Sequence, residues 1–244
     1  MLLPGERIDQ LFANDIQIIQ SKEVFSFSID AVLLANFPAY PKKGKIVDLC
    51  AGNGAVGLFA SRKTNAHITQ IELQERLADM GRRSIQLNHL EEQMTMLELD
   101  LKLATTAVKP DSVDLVLCNP PYFKELPTSQ KNPNPHLAIA RHEIYTTLTE
   151  VIGVSAKLLK TNGRLAMVHR PDRFLDILHA MESADVAPKR VRFIYPKAEK
   201  EANTLLIEGI KQGKKEGFRV LPPLFTYDDQ NNYLPEVKAM LYGN

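Results

Sequence analysis

Short apolar runs alternate with amphipathic segments along most of the chain. Apolar runs between polar or glycine residues predict buried strands, and apolar positions three or four residues apart predict helices packed on them. The predicted strands are 45–50, 67–72, 94–99, 113–118 and 164–169, and the predicted helices are 55–62, 74–88, 146–160 and 172–183. Two further apolar runs, 190–195 and 204–210, predict a closing antiparallel pair. This alternation is typical of an α/β fold, here a doubly wound, mostly parallel sheet of seven strands.

The first 40 residues do not follow this alternation. Runs at 16–20 and 24–28 predict a small hairpin, and residues 30–37 predict a helix after it. We therefore divide the chain into an N-terminal extension of hairpin and helix, residues 1–40, and a main domain, residues 41–244.

The composition of the chain limits the classes of protein to which it could belong. With 244 residues, 44% of them apolar and 24% charged, the chain suits one large soluble domain. Because no apolar run is long enough to span a membrane and no signal peptide is evident, we expect a cytoplasmic protein without membrane association. The two cysteines, Cys50 and Cys118, are too few for a disulfide framework or a zinc site, so we expect buried thiols and no bound metal.

The net charge of +1 conceals a basic C-terminal region. Residues 157–220 carry 14 Lys and Arg against 8 Asp and Glu. A basic surface can face a polyanion, although charged runs are more often plain solvated surface. The charge therefore matters only beside a motif that points to nucleic acid.

A glycine-rich turn follows the first predicted strand of the main domain. Gly52 and Gly54 allow a tight turn that a ligand can approach, and Gly57 allows close packing of a helix on the sheet. Glu72 lies 20 residues beyond Gly52, at the end of the next strand, where a carboxylate can accept both ribose hydroxyls of an adenosine. These residues alone fit NAD and S-adenosylmethionine about equally.

Acidic residues near this turn favour S-adenosylmethionine. Asp48 and Asp30 suit the ammonium of its amino-acid tail, whereas they would repel a pyrophosphate. Asp100, after the third strand, is placed to accept from the adenine amino group of the cofactor. Each has a structural alternative: Asp48 as the cap of a turn, Glu72 as a solvated strand end and Asp100 as the N-cap of the next segment.

The tetrapeptide Asn119-Pro120-Pro121-Tyr122 is the most specific feature of the chain. It follows the run 113–118, so it lies where a strand ends and a cleft can open. The carboxamide of Asn119 accepts hydrogen bonds in a fixed plane, the prolines keep the backbone extended, and Tyr122 offers a flat face. Together they suit an amino group on a flat π-system, such as N6 of adenine, and hence methyl transfer to nitrogen.

Here the chain resembles the class I, S-adenosylmethionine-dependent amino-methyltransferases over residues 27–170. It is similar in more detail to the bacterial tRNA1(Val) (adenine-N6)-methyltransferases. The pattern Phe-x-x-Asp-x-x-Leu-Leu at 27–34, Ala-Arg-His-Glu at 140–143 and the closing strands at 189–213 carry that similarity. The resemblance implies a Rossmann-like methyltransferase fold and S-adenosyl-L-methionine as the cofactor.

The resemblance also implies roles for individual residues. Asn119 and the carbonyl of Pro120 would accept the two N6 hydrogens of adenine, and Tyr122 would stack on the base, so these three form the expected catalytic group. The expected cofactor-binding residues are Ser28, Asp30, Asp48, Gly52, Gly54, Glu72, Asp100 and Asn119. The expected substrate-binding residues are Pro121, Tyr122, Lys124, Arg141 and His142. Further candidate phosphate contacts are Lys131, Arg170, Arg173, Lys189, Arg190 and Arg192.

The substrate implied is an adenosine in RNA, most consistent with a tRNA anticodon loop, because a base must be extruded before the tyrosine can meet it. We expect tRNA or another structured RNA as the partner and no obligate protein partner. Other functions remain open: methylation of a protein glutamine amide or of guanine N2, a non-catalytic RNA-binding protein with a vestigial cofactor pocket, and an NAD oxidoreductase. The last lacks an evident hydride-transfer site.

Overall fold

The computed structural model of the protein describes residues 2–11, 16–24, 27–122 and 146–243. Its strands are β1 (Glu6–Leu11), β2 (Ile16–Ser21), β3 (Lys45–Leu49), β4 (His67–Glu72), β5 (Met94–Glu98), β6 (Val113–Cys118), β7 (Leu159–His169), β8 (Val186–Tyr195), β9 (Thr204–Lys211), β10 (Arg219–Val220) and β11 (Leu224–Phe225). Its helices are α1 (Ile29–Asn36), α2 (Ala55–Ser61), α3 (Glu75–Leu87), α4 (Ala104–Ala107), α5 (Leu148–Leu158), α6 (Phe174–Ser183) and α7 (Pro235–Tyr242).

The main sheet has the strand order β10-β8-β9-β7-β6-β3-β4-β5, with β11 also paired to β8. Strand β9 is antiparallel to both β7 and β8, and every other pair in this sheet is parallel. The α/β class, the mostly parallel sheet and the closing antiparallel pair are therefore confirmed. The expected count of seven strands omits β10 and β11, because two residues are too short to show an apolar alternation.

Both faces of this sheet are covered, as a doubly wound fold requires. Successive residues of each central strand enter opposite cores, because side chains alternate across a strand. Ile46 and Leu115 pack in a core with α1 and α2, whereas Val47 and Val116 pack in a core with α5 and α6. Helices therefore flank the sheet on each side and leave its carboxyl edge available for a site.

The N-terminal hairpin differs from the sequence prediction. Strand β2 pairs with β1, with Ile8 opposite Ile19, whereas residues 25 and 26 of the strand expected at 24–28 lie outside the described residues. The six residues of β1 are mostly polar, so no apolar alternation marks them as a strand. Val24, the apolar residue that suggested the other pairing, instead packs in a small cluster with Ile19 and Met80.

Hydrogen bonds attach the hairpin to the main fold. The hydroxyl of Ser84 on α3 accepts from the backbone N–H of Ile19, and the amide of Asn53 donates to the carbonyl of Ile19. Arg83 forms an ion pair with Glu6. The next element, α1, has residues 31–35 buried in the core. The domain division at residue 40 stays a prediction.

The observed limits of other elements differ from the predicted limits by a few residues. Strand β7 begins at Leu159, earlier than expected, since Asn162 with a φ of 63° and Gly163 lie within it instead of before it. The C-terminal helix α7 was not expected from the sequence. Within the described ranges, no helix combines the length and apolar character needed to cross a membrane.

Candidate active site

A cavity of about 430 Å³ opens at the carboxyl ends of β3, β4 and β6. This is the point where the order of a doubly wound sheet reverses, and ligands of such folds bind there. Its volume falls in the range of small-molecule sites. Several predicted site residues line it: Ser28, Asp30, Gly52, Glu72, Asp100, Asn119, Pro120, Pro121 and Tyr122.

The glycine turn forms one wall of the cavity. Gly52 and Gly54 have φ values of 57° and 90°, in the left-handed region that favours glycine. Gly54 is the N-cap of α2 and lies outside the cavity lining, whereas Gly52 is part of it. Gly57 lies so close to the sheet that an added Cβ would come within 2.3 Å of Nε2 of Gln70. The close packing of helix and sheet expected at Gly57 therefore occurs against the side chain of Gln70.

Glu72 holds the turn in place. Its two carboxylate oxygens accept from the backbone N–H groups of Gly52, at 2.8 Å, and Gln74, at 2.9 Å. Burial raises the pKa of Glu72, and these N–H donors oppose the rise because they stabilise the charged form. Each oxygen retains a further lone pair, so the carboxylate can still accept from a ligand hydroxyl.

Asp48 lies behind the cavity wall. It is wholly buried, and Oδ2 accepts from Nε2 of Gln70 at 3.1 Å. Within the described ranges its other oxygen, Oδ1, has no hydrogen-bond partner. Burial raises the pKa of Asp48 to about 7. The structure therefore places this predicted cofactor-binding residue outside the cavity lining, where Gln70 connects it to the carbonyl of Gly54 in the glycine turn.

Asp100 has the capping role considered for it and also lines the cavity. It is the N-cap of the 3-10 turn Leu101–Leu103, and its side chain accepts from the backbone N–H of Lys102 at 2.9 Å. It also lines the cavity between the apolar residues Leu99 and Leu101. This wall offers an acceptor inside an apolar slot, which suits a planar heterocycle with an amino group.

The tetrapeptide forms the opposite wall, and Tyr122 connects it to α1. Its hydroxyl lies 2.6 Å from Oδ1 of Asn119 and 2.9 Å from Oδ2 of Asp30. The one hydroxyl hydrogen can satisfy only one of these acceptors at a time. Burial raises the pKa of Asp30 and that of Tyr122, and the negative charge of Asp30 further raises the tyrosine pKa. Residues 92 positions apart thus meet at the end of β6.

His169 supports the tyrosine ring, a role that sequence reasoning missed. The two ring centroids lie 5.2 Å apart. His169 is fully buried at the end of β7, and burial together with the positive charge of Arg173 lowers its pKa to about 3. It is therefore neutral, and Nδ1 accepts from the backbone N–H of Arg170. The side chain of Arg173 reaches the carbonyl of Tyr122 at 3.4 Å.

Several predicted substrate contacts lie outside the described residues: Lys124, Lys131, Arg141 and His142. The candidate phosphate contacts that the structure does describe are largely engaged within the protein. Arg190 pairs with Glu208, and Arg192 pairs with Glu236. Paired arginines are weaker candidates for phosphate, because each would have to exchange an existing partner.

Some residues that line the cavity were not predicted from the sequence to do so. Cys50, expected to be a buried thiol, is instead half-buried and lines the cavity with a φ of 56°, whereas Cys118 is buried as expected at the end of β6. Arg170 also lines the cavity, although the sequence suggested only a phosphate contact there. Asn53, in the glycine turn, lies at the cavity and reaches back to β2. A polar residue between two glycines of the turn was the sequence feature that could have indicated this position.

The sequence matches the methyltransferase small domain family over residues 15–186. The chain belongs to this family. The match spans the cavity walls from the hairpin to the first residue of β8, so it contains every described residue of the site. The expected relationship to methyltransferases is therefore confirmed.

Curated relatives of the family carry a more specific name. The tRNA1(Val) (adenine(37)-N6)-methyltransferase of Flavobacteriaceae bacterium (strain 3519-10) is 29% identical over 150 residues, which cover 61% of each chain. The enzyme of the same name from Shewanella halifaxensis is 28% identical over 156 residues, 64% of this chain and 62% of that one. The similarity expected from the motifs is confirmed, and the chain spans about three fifths of the length of these relatives.

Solved structures show the same fold. A predicted O-methyltransferase from Agrobacterium tumefaciens superposes with a TM-score of 0.69 at 22% identity, covering 86% of this chain and 94% of the other. The geranyl diphosphate C-methyltransferase of Streptomyces coelicolor has a TM-score of 0.57 at 13% identity, covering 74% of each chain. At these identities the likeness concerns the fold alone.

Proposed function

We propose that this protein transfers a methyl group from S-adenosyl-L-methionine to the exocyclic N6 of an adenine in RNA, with tRNA as the substrate class. One observation carries the proposal: Asn119 lines the same cavity as the glycine turn and Glu72. An acceptor for a planar amino group and a nucleoside-binding turn therefore share one space. The names of the curated relatives supply the choice of tRNA.

The cavity suits S-adenosyl-L-methionine on its own chemistry. Asp30 and Glu72 line it with carboxylates, and among the described residues Oδ1 of Asp48 behind it has no hydrogen-bond partner, so the walls favour a cation. Asp100 sits between apolar side chains, where an adenine ring fits. Bound there, the cofactor supplies an electrophilic methyl group on a sulfonium.

The residues of the tetrapeptide position the acceptor nitrogen. Asn119 and the carbonyl of Pro120 accept its two hydrogens, which withdraws the lone pair from the ring and leaves it available for the methyl group. Fixed orientation of this kind supplies up to about 7–11 kcal/mol of the barrier in favourable cases. No strong base is needed, because the methylated nitrogen is acidic and loses its extra proton to water.

RNA rather than free nucleoside fits the remaining features. An adenine must leave its stack to reach the tyrosine, which costs a few kcal/mol and least in a loop. The excess of Lys and Arg in residues 157–220 is consistent with a polyanionic substrate.

Incubation with tritiated S-adenosyl-L-methionine and total tRNA, followed by digestion to nucleosides, tests the proposal. We expect label in N6-methyladenosine. Asn119→Ala should lose about 10²–10³-fold of the turnover, the cost typical of removing one transition-state hydrogen-bond partner, while cofactor affinity stays unchanged. Asn65→Ala, the same change at an exposed asparagine outside the cavity, is the control. Label in guanosine, in protein glutamine, or equally in the Asn119 variant would refute the assignment.

A further inference from the structure

The two cysteines of the chain lie on neighbouring strands at the carboxyl edge of the sheet. Cys118 ends β6, and Cys50 directly follows β3, which pairs with β6 in parallel. In that pairing Leu49 stands opposite Cys118, so Cys50 is one residue beyond the position that faces Cys118. Neighbouring strands lie about 4.8 Å apart, and a disulfide joins Cα atoms about 4.4–6.8 Å apart, so the two strands are close enough to be bridged here.

The backbone of Cys50 turns its thiol towards Cys118. Successive side chains of an extended strand point to opposite faces, so a fully extended Cys50 would point away from the face that Leu49 and Cys118 share. Its φ of 56° lies instead in the left-handed region, which is uncommon for a residue other than glycine. Cys50 packs against the same core as Leu49 and Cys118, and the two thiols are in hydrogen-bond contact.

The two thiols differ in their access to the cavity. Cys50 is half-buried and lines the cavity beside Ala51 and Gly52, whereas Cys118 is fully buried. Burial raises the pKa of Cys118, which makes its thiolate scarcer, and the thiolate is the form that reacts with oxidants. A small oxidant that enters the cavity therefore meets Cys50 first and has Cys118 behind it as a second thiol.

We propose that Cys50 and Cys118 form a modification site, at which hydrogen peroxide entering the cavity converts the two thiols into a disulfide. The sulfur of Cys50 attacks one peroxide oxygen and displaces hydroxide, which takes the thiol proton and leaves as water. This step produces a sulfenic acid on Cys50. The sulfur of Cys118 then attacks that of Cys50, so the S–S bond forms, the S–O bond breaks, and the hydroxyl group leaves as water with the proton of Cys118. Two thiols are oxidised, and one peroxide is reduced to two molecules of water.

The disulfide would connect two walls of the candidate active site. Cys50 directly precedes the glycine turn, and Cys118 directly precedes Asn119, the residue proposed to hold the substrate amino group. We therefore expect the oxidised protein to lose methyl transfer and a bound cofactor to shield Cys50. These two consequences rest on the proposed function, whereas formation of the disulfide does not.

Intact-mass measurement of the wild-type chain tests the site. After treatment with hydrogen peroxide and removal of the excess by catalase, the mass should be lower by two hydrogen atoms, and dithiothreitol should restore it. Because the chain has only two cysteines, this loss in a single chain identifies the pair. Two thiols that survive the treatment, or a disulfide between two chains on a non-reducing gel, would overturn the proposal.

Two matched variants separate the roles of the thiols. In Cys118→Ala, the sulfenic acid of Cys50 has no second thiol, so dimedone should trap it and no disulfide should form within the chain. In Cys50→Ala, the buried thiol of Cys118 should be oxidised at least about tenfold more slowly than Cys50 is in the other variant. Equal rates in the two variants would contradict a reaction that begins at Cys50.

Ligand protection tests access through the cavity. S-adenosylhomocysteine at about 100 times its Kd, with binding verified by calorimetry, should slow thiol loss by up to about 100-fold, because only the unliganded protein reacts. An unchanged rate with the ligand bound would overturn this route. If the ligand does not bind or the reduced protein does not methylate tRNA, the proposed function fails, while the mass measurement still decides the disulfide. A disulfide that leaves tRNA methylation unchanged would refute the expected inactivation alone.

Discussion

The hydroxyl of Tyr122 lies 2.6 Å from Oδ1 of Asn119, the atom proposed to accept a hydrogen bond from the substrate amino group. In this arrangement the carboxamide oxygen is satisfied before any substrate arrives. The same hydroxyl is 2.9 Å from Asp30. Asp30 therefore offers the tyrosine an alternative acceptor when a substrate amino group takes over Asn119, so no buried donor is left unpaired during the exchange.

Tyr122→Phe should leave most of the activity intact. The variant keeps the ring that stacks on the base and loses only the hydroxyl that competes for Asn119. Tyr122→Ala removes the ring, and loss of one stacking contact of about 1–3 kcal/mol should raise the KM for RNA roughly five- to 150-fold. Steady-state methylation of tRNA over a range of RNA concentrations measures both effects.

Cofactor affinity is measured alongside, because both variants remove the contact of the Tyr122 hydroxyl with Asp30, an expected cofactor-binding residue. A Phe variant as inactive as the Ala variant would mean that the hydroxyl itself is needed, for example to orient Asn119. Stacking on the base would then no longer explain why a tyrosine stands at this position.

Glu72 is predicted to bind a ribose hydroxyl of the cofactor. Calorimetry with S-adenosylhomocysteine and its 2′-deoxy analogue tests this directly. On the wild type the deoxy analogue should bind about tenfold more weakly or worse, because a hydrogen bond to a charged group contributes about 1.5–3 kcal/mol. On Glu72→Ala the two ligands should bind equally.

The comparison between ligands is essential because Glu72 also holds the backbone of Gly52 and Gln74. The Ala variant will therefore be less stable and will bind both ligands more weakly, whatever the role of the carboxylate. If the penalty for the missing hydroxyl persists in the variant, the ribose contact belongs to another residue.

The sequence was sufficient for the central part of the fold. Strands β4 and β6 match their predicted limits. Strand β6 is apolar except for Asp114, as expected of a strand buried on both faces, whereas β4 is marked mainly by Ile68 and Ile71. The glycine turn, Glu72 and the tetrapeptide converge on one cavity because the carboxyl ends of parallel strands meet at one edge. The positions of these motifs directly after predicted strands were therefore enough to predict that they meet.

Other features depend on tertiary contacts that no local pattern encodes. Strand β1 is mostly polar and is identified only by its pairing with β2. The position of Asp48 behind the wall, and the contact of Tyr122 with Asp30, depend on how side chains pack around Gln70 and α1. Likewise, the ion pairs that occupy Arg190 and Arg192 join residues far apart in sequence. Counting charges along the chain could not show that these two arginines are already paired with carboxylates.

Asp48 should make stability depend on pH. Its pKa of about 7 in the folded protein exceeds the usual value of 3.8, so the folded state binds the proton more tightly than the unfolded state. The contribution of Asp48 to the free energy of unfolding is then greatest below about pH 4, falls as the pH rises to about 7 and levels off above that, with a total change of about 4 kcal/mol. Asp48→Asn removes this titration.

The gain in unfolding free energy from Asp48→Asn should therefore be larger at about pH 8 than at about pH 5. Urea denaturation of both proteins at the two pH values measures it, and the difference between variant and wild type cancels the titration of Asp30 and Glu72. A cationic ligand should also bind the wild type more tightly as Asp48 loses its proton. A stability difference that does not change with pH would contradict the raised pKa.

Gly57 and Gln70 should be energetically coupled. A Cβ at residue 57 would come within 2.3 Å of Nε2 of Gln70, which donates to both Asp48 and the carbonyl of Gly54. Gly57→Ala must displace that amide, so the steric cost of about 1–3 kcal/mol adds to the loss of the hydrogen bonds. In Gly57→Ala with Gln70→Ala the clash is gone, and the double variant should be destabilised by less than the sum of the single changes, by about 0.5–3 kcal/mol.

Urea denaturation of the two single variants and the double variant completes the cycle, with Gly153→Ala as the control. Gly153 lies within α5, and a Cβ there would meet no atom within 4 Å. Alanine should stabilise that helix by up to about 1 kcal/mol, because glycine is the poorer helix former. Additive effects at residues 57 and 70 would mean that the helix shifts away from the sheet to accept the methyl group. The close approach of Gly57 to Gln70 would then be incidental.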